Sequence, residues 1–366
     1  MRRDFLEIDG STSGLHRVQP VSLQDVEAVR LLLTGASVVD WQRLSLRSLD
    51  DVDRFLKVQQ IEPTDPGDME RLRYVFNEAV SYLEEQLHLK FPSELRNPAD
   101  VRHVFLWASQ WGGFRRTQIL SCVVLKLMHI IQHLEAADLR FRLPLSEQQI
   151  MDIAHRRLVH QARRLQDEGV PIAAFYGNRK SRSSVITKLI AKREAVAAKI
   201  FDKLRYRVVV YHHEHLVPVL ARLVRELFPF NYTVPGQSHN NLLDVSTLTS
   251  WLSETDQEIA RERGLSSPAP LDEEQRNEFS GQSYRIINWI VDCPVRIPDE
   301  VSLENRFSFE HGRIVYVNVE FQMLDETTAH HNEQGENSHA LYKARQQRKV
   351  AVRLKRGAAV RDPEGA

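Results

Sequence analysis

Cysteine is nearly missing from this chain: Cys122 and Cys293 are the only two in 366 residues. Two thiols exclude a disulfide framework and a Cys-rich zinc site. An excess of either charge is missing too. Lys and Arg total 49, and Asp and Glu total 49. Bulk charge therefore gives no sign of a nucleic-acid binder. Long apolar runs are scarce. The most apolar stretch, Leu120 to Ile131, is interrupted by Lys126 and His129, which reads as too short and too polar to cross a bilayer. The first ten residues carry two arginines with no apolar run behind them, so they do not read as a secretory signal. The expected address is the cytoplasm, with no membrane partner. There is no internal repeat and no long low-complexity tract.

Hydrophobic residues make up 42% and charged residues 27%, the mixture of an ordinary globular protein. At roughly 150 residues per domain the length suggests two domains. Residues 1–20 read as a loose terminus. From Leu23 to about Leu143 the pattern is helical, with stripes at Leu23, Val26, Val29, Leu32 and Leu33 and at Leu72, Val75, Phe76, Val80 and Leu83. Ser146 reads as the N-cap of a helix that Gly169 ends. Beyond Pro171, strand-like runs alternate with helices. Arg205 to Tyr211 and Tyr284 to Val291 are rich in β-branched and aromatic residues. From Ile314 to Phe321 the alternation is strict, with Val315, Val317, Val319 and Phe321 on one face. Leu216 to Leu227 reads as a helix that tolerates Pro218 in its first turn.

The expected fold class is α+β: a helical N-terminal domain over 1–145, then a mixed sheet flanked by helices over 146–366. The core of the second domain would be 171–343, with a partly helical insertion at about 236–280. A basic C-terminal tail follows Lys343, with no acid until Asp362.

Three segments carry residues suited to phosphate chemistry. In the first, Lys180, Ser184 and Lys188 recur every four residues around a helix start near Ser183. Free N–H groups and the macrodipole at such an end attract phosphate; a solvated basic turn is the bland alternative. In the second, Asp202 precedes a strand carrying Arg207. A carboxylate there suits Mg²⁺, or simply pairs with Arg205 or Lys203. In the third, Glu320 and Gln322 share a face of the alternating strand. Glu320 reads as a metal ligand or base, or as a strand residue on a wet face.

Taken in order, these segments resemble the synthetase domain of the RelA/SpoT family, the alarmone synthetases of the bacterial stringent response. Lys180, Ser184 and Lys188 fall in the register of the family's basic stretch. Asp202 and Arg207 match its D-x-x-G-x-R strand entry. Glu320 and Gln322 match its E-x-Q, followed at family spacing by Glu333, Gly335, His339, Tyr342 and Lys343. The resemblance covers roughly 175–343.

The resemblance implies a nucleotidyltransferase-like mixed sheet and transfer of pyrophosphate from ATP to the 3′-hydroxyl of GDP, GTP or another nucleotide. It implies that Lys180, Ser184 and Lys188, with Arg179 and Arg207, bind ATP phosphates, and that Asp202 and Glu320 are catalytic and hold Mg²⁺. Gln322, His339, Tyr342 and Lys343 would bind the acceptor. Several positions depart from the pattern. Asn178 stands where the family has the first Arg of R-x-K, with Arg179 as its substitute, and Arg285 replaces the His of the acceptor loop. Arg205 stands where the family has Gly, and Met323-Leu324-Asp325 replaces I-R-T. Gly281 falls where an acceptor-stacking Tyr belongs, with Tyr284 as the alternative stacking ring. Two other readings stay open: a toxin-like enzyme that pyrophosphorylates the 3′ end of tRNA, and a non-catalytic nucleotide sensor or scaffold. The helical half would bind a protein regulator.

Among the histidines, the cluster His212, His213 and His215 reads as a solvated turn. His129 and His133, four apart, read as a buried or interfacial pair.

Overall fold

A computed structural model of the protein describes residues 8–9, 20–35, 44–110, 115–179, 182–191, 204–262, 284–301, 312–333, 347–352 and 354. In chain order the elements are β1 (Ile8–Asp9), α1 (Leu23–Thr34), α2 (Leu49–Val58), α3 (Pro66–Leu87), α4 (Ser93–Arg96), α5 (Arg102–Ser109), α6 (Arg115–Arg142) and α7 (Glu147–Asp167). Then follow β2 (Ile172–Arg179), α8 (Arg182–Ala191), β3 (Leu204–Val210), α9 (Leu216–Glu226), β4 (His239–Asn240), α10 (Glu254–Glu262), β5 (Ile287–Arg296), β6 (Ile314–Asp325) and α11 (Glu326–Glu333). The class is α+β: helices first, then a mixed sheet with helices packed on it.

Side-chain caps set several boundaries. Ser22 with Asp25, Ser48 with Asp51 and Ser146 with Gln149 each form a capping box, in which the side chains satisfy otherwise orphaned N–H groups. After α7 the chain turns at Gly169, whose φ of 85° is the left-handed region glycine favours. Pro218 lies in the first turn of α9, where its missing N–H costs nothing.

The sheet has the order β1-β2-β3-β6-β5-β4. β3 and β6 are parallel, and the other neighbours are antiparallel. β6 continues past the expected end at Phe321 to Asp325. β5 begins at Ile287 rather than Tyr284 and runs to Arg296. It accommodates Pro294 because β4 pairs only with Asn288 and Ile287 and the isolated bridge from Thr233 reaches no further than Val291. Beyond Val291 β5 is an edge among the described residues, where a residue without an N–H is tolerated. The expected loose terminus contains β1, which pairs with Phe175 and Ala174 of β2.

Alternation gives the sheet two faces. One carries Phe175, Tyr206, Val208, Trp289, Val319 and Phe321, all fully buried. Tyr206 stacks between Phe175 and Phe321, with centroids 5.1 and 5.8 Å away. Gly177 makes this possible: a Cβ there would lie 2.3 Å from the Tyr206 ring. On this side His155 of α7 meets the Tyr206 hydroxyl through Nδ1 at 2.7 Å. Arg157, also on α7, donates to the carbonyls of Pro294 (2.9 Å), Val58 and Leu227 (both 3.3 Å). One guanidinium thus joins β5 to the ends of α2 and α9. The buried apolar side chains form a single cluster from Val21 to Met323, so the helical half and the sheet share one core.

α6 crosses the other face along the first half of β6. His133 stacks on Tyr316 with centroids 4.4 Å apart, and Arg140 donates to the Tyr316 carbonyl at 3.3 Å. The helix extends well beyond the apolar run read from sequence. Its stretch Arg116–Arg142 is long and apolar enough, by length and composition, to cross a membrane. It packs against α3, α5 and β6.

Candidate functional site

On the second face, beyond α6, the register sets polar side chains in two rows. Parallel pairing puts Arg205 opposite Glu320 and Arg207 opposite Gln322. Antiparallel pairing adds Tyr176 beside Arg207, and Asn288 beside Gln322. Both acidic and basic members arise from the period of two: positions 205 and 207 and positions 320 and 322 must point the same way.

Glu320 is 5% exposed and both its oxygens are engaged. Arg205 Nε donates to Oε2 at 2.7 Å, and Gln322 Nε2 donates to Oε1 at 3.1 Å. Gln322 in turn accepts from Arg207 Nη2 at 3.1 Å, and Arg207 Nη1 reaches the Tyr176 hydroxyl at 3.4 Å. The result is a chain of polar contacts from Arg205 through Glu320, Gln322 and Arg207 to Tyr176.

Tyr284 closes one side. Burial pushes its hydroxyl above the ordinary phenol value; Arg207 and Arg205 pull it back, while Glu320 and Tyr176 push it up. Its hydroxyl thus lies within electrostatic reach of those four side chains. Two asparagines hold its backbone. Asn241 Nδ2 donates to the Tyr284 carbonyl at 2.7 Å, while Asn241 Oδ1 accepts from the Ile286 amide at 2.7 Å. Buried Asn332 of α11 both accepts from the Arg285 amide (3.1 Å) and donates to its carbonyl (2.6 Å). The Oδ1 of Asn288 is buried without a hydrogen-bond partner among the described residues, leaving an acceptor on the same face for a donor to fill.

Of the residues expected from sequence, Arg207, Glu320, Gln322 and Tyr284 come together here. Ser184 and Lys188 lie one turn apart on α8, which begins at Arg182, close to the expected start. Arg179 ends β2. Lys180, Asp202, His339, Tyr342 and Lys343 lie outside the described residues. Asn241, Asn332, Tyr176 and Arg205 join the site without having been expected in it. Tyr176 carried a signal, being the polar-tipped aromatic on the open face of β2. The asparagines carried none beyond residing near loops.

Asp325, in the departing Met323-Leu324-Asp325 stretch, has a structural task. Its Oδ1 accepts from the Thr328 amide at 2.8 Å and its Oδ2 from the Thr328 hydroxyl at 2.7 Å, opening α11. Burial alone would raise its pKa. The Thr328 bonds, with help from His213, outweigh burial and hold the carboxyl below its usual range.

The donor set bears on Mg²⁺. That ion takes several hard oxygen ligands in near-octahedral geometry. Here the described carboxylate has no uncommitted oxygen, and two guanidiniums share its face. A unit charge 4 Å from a guanidinium is opposed by about 4 kcal/mol at a near-surface effective dielectric of about 20, and a divalent ion by twice that. Among the described residues no group of three or more His, Cys, Asp or Glu side chains could hold a metal ion. Among the described residues this polar row offers a divalent cation one carboxylate, Glu320.

His129 and His133, expected as a buried or interfacial pair, pack together partly buried with ring centroids 4.6 Å apart. His129 also packs on Tyr232, and His133 Nδ1 lies 3.5 Å from Asp292. Burial pushes His129 down to about 3 and His133 to about 4, and pushes the Asp292 carboxyl up to about 6.

No family model matches the chain, and no curated protein is significantly similar to it. Among solved structures it is similar to small alarmone synthetases. One is small alarmone synthetase 1 from Bacillus subtilis bound to its product pppGpp, 14% identical, with 57% of this chain and 86% of that chain covered and a TM-score of 0.32. Another is small alarmone synthetase 2 from Bacillus subtilis, also 14% identical, covering 57% of this chain and 95% of that one with a TM-score of 0.30.

Proposed function

We propose that the polar face of the sheet binds a nucleotide, and that the chemistry its parts suit is pyrophosphate transfer from ATP to the 3′-hydroxyl of a second nucleotide. The observation that supports this most is the in-register row of Arg205, Arg207, Glu320 and Gln322, flanked by Tyr176 and Tyr284. Guanidinium forks match phosphate oxygens, and tyrosine rings offer a base a stacking surface. The motif order along the chain supports the same reading. In the transfer, the 3′-oxygen attacks the β-phosphorus and the bond from that phosphorus to the oxygen bridging the α-phosphate breaks. AMP leaves with the bridging oxygen, and the hydroxyl proton passes to a base, for which Glu320 is the candidate. Positioning and charge neutralisation carry most of such a reaction. Lys180, Ser184, Lys188 and Arg179 would extend the phosphate contacts; Asp202 would complete the acidic side. His339, Tyr342 and Lys343 would reach the acceptor.

A second reading is favoured by the Arg205–Glu320 contact: a nucleotide sensor that binds without turnover. A base must reach the attacking hydroxyl, and Glu320 lies buried with each oxygen already accepting a hydrogen bond, from Arg205 or Gln322. Purified protein incubated with ATP and, in turn, GDP, GTP, adenosine nucleotides and tRNA separates the readings. AMP release with a labelled acceptor supports the transferase. Binding without AMP release in any mixture supports the sensor, and folded protein that binds no nucleotide rejects both.

A further inference from the structure

We infer that the outer side of α3 and α6 is an interface at which two copies of this chain pair, their α6 helices antiparallel about Ile130. The pairing does not depend on nucleotide binding. Among the described residues nine large apolar side chains are exposed, and six of them, Tyr82, Leu87, Ile119, Ile130, Leu134 and Phe141, lie on these two helices. Phe141 is 89% exposed. The helices run antiparallel: Arg71 bonds Glu135, and Arg116 donates to the Lys90 carbonyl at 3.3 Å. Leu87 therefore lies level with Ile119. On α6, Ile119, Ile130 and Phe141 recur every eleven residues, almost three whole turns. Leu134 follows Ile130 by four, so these four share one face. The inner face buries Leu125, Met128 and Leu139. The helix is apolar on two sides, and only the inner one is covered by described residues.

Contiguous apolar patches beyond a few hundred Å² are rare on monomers. Large side chains at half exposure offer on the order of 100 Å² each, so six give roughly 600 Å². With half-buried Val123 and Leu127 between them, and a polar rim, the face approaches the ~800 Å² per partner of a stable interface. Its spacing is self-complementary. Ile130 stands eleven residues from both Ile119 and Phe141, so a two-fold axis there sets Ile130 against its own copy and Phe141 against the partner's Ile119. Such isologous contacts are the commonest in homo-oligomers. The rim favours protein over lipid. Exposed Glu78, Glu85 and Asp138 border the stripe along with Arg116 and Lys126; a helix that lies on lipid is rimmed by Lys and Arg.

Sedimentation velocity of the full chain, from about 1 to about 100 μM, tests this, with dimer expected at the upper end. Ile130→Glu and Phe141→Glu each introduce a charge twice across the axis. Each should raise the dimer dissociation constant by about thirtyfold or more, as for an interface hot spot. Both positions are exposed in one copy, so thermal melts of the variants should match wild type. Ile130→Cys should form a disulfide-linked dimer on mild oxidation, since the axis brings it against itself; Cys122 and Cys293 are buried and give little background. Wild-type protein that stays monomeric throughout, or a dimer that survives both charge substitutions, overturns the inference. Crosslinking by Ile119→Cys alone and not by Ile130→Cys puts the axis elsewhere and also overturns it. Monomer that pellets with vesicles of phosphatidylcholine and phosphatidylserine, and stops pelleting in Phe141→Glu, overturns it in favour of a membrane.

Discussion

Arg205 and Glu320, 115 residues apart in sequence, meet across two parallel strands with Nε 2.7 Å from Oε2. The contact follows from register. Once Leu204 pairs with Val319, every second position of β3 must face its counterpart on β6. A substitution at 205 therefore changes the environment of 320, and the two positions have to be read together.

Arg207 is the neighbouring case, and its geometry demands a fork. It holds Gln322 with one terminal nitrogen and Tyr176 with the other. A lysine ends in one compact ammonium and cannot reproduce both contacts. Arg207→Lys should weaken ATP binding by about tenfold, with the melting temperature nearly unchanged. Calorimetry beside a thermal melt checks both halves.

Gly177→Ala should destabilise the protein by about 1–3 kcal/mol, the usual cost of overpacking. The new methyl would meet the Tyr206 ring, which Phe175, Phe321 and the His155 contact already confine. Urea unfolding measures the loss. Pairing the change with Tyr206→Leu should recover part of it, since the clash and the ring disappear together.

Arg157→Met keeps much of the volume and removes the donors. Three carbonyls, on Pro294, Val58 and Leu227, then lose a partner. Buried polar groups left unmatched cost about 1–3 kcal/mol each, so a loss of several kcal/mol is expected, again read by urea unfolding. A near-neutral result would show that water reaches those carbonyls.

The partly buried His129 makes stability depend on acid. Its imidazole stays neutral in the fold down to about pH 3, whereas in the unfolded chain it protonates near pH ~6.5. Between those values the unfolded state binds more protons, so the contribution is complete above the upper value and drains away as pH falls. His129→Gln should flatten that loss. Unfolding free energies of the two proteins, compared from pH 7 to pH 4, should converge towards the acid end. Asp292, raised to about 6 by burial, titrates with the opposite sign but is common to both proteins.

Much of the sheet was legible because β6 alternates so regularly that its two faces follow from spelling alone. The α7 cap and its glycine stop, the α8 start and the tolerated Pro218 were legible for similarly local reasons. β1 was not, since two residues cannot display a period. The offset in β5 has two causes: Tyr284 to Ile286 have strand composition but are tied by asparagines instead, and Pro294 interrupts the composition of a real strand. The full extent of α6 was obscured by its polar residues. At the site, Arg207, Glu320 and Gln322 could be chosen from motif spacing, and Tyr284 only as an alternative ring displaced from the motif position. The partnership of Arg205 with Glu320 could not, because it depends on which strands are neighbours and in what register.

The shortest strand has a protective consequence. By occupying the outer side of Ala174 and Phe175, Ile8 and Asp9 deny that margin to foreign backbones. Deleting them would bare a ready template for edge-to-edge association, so protein trimmed at its beginning should aggregate on concentration even while the polar face of the sheet stays intact.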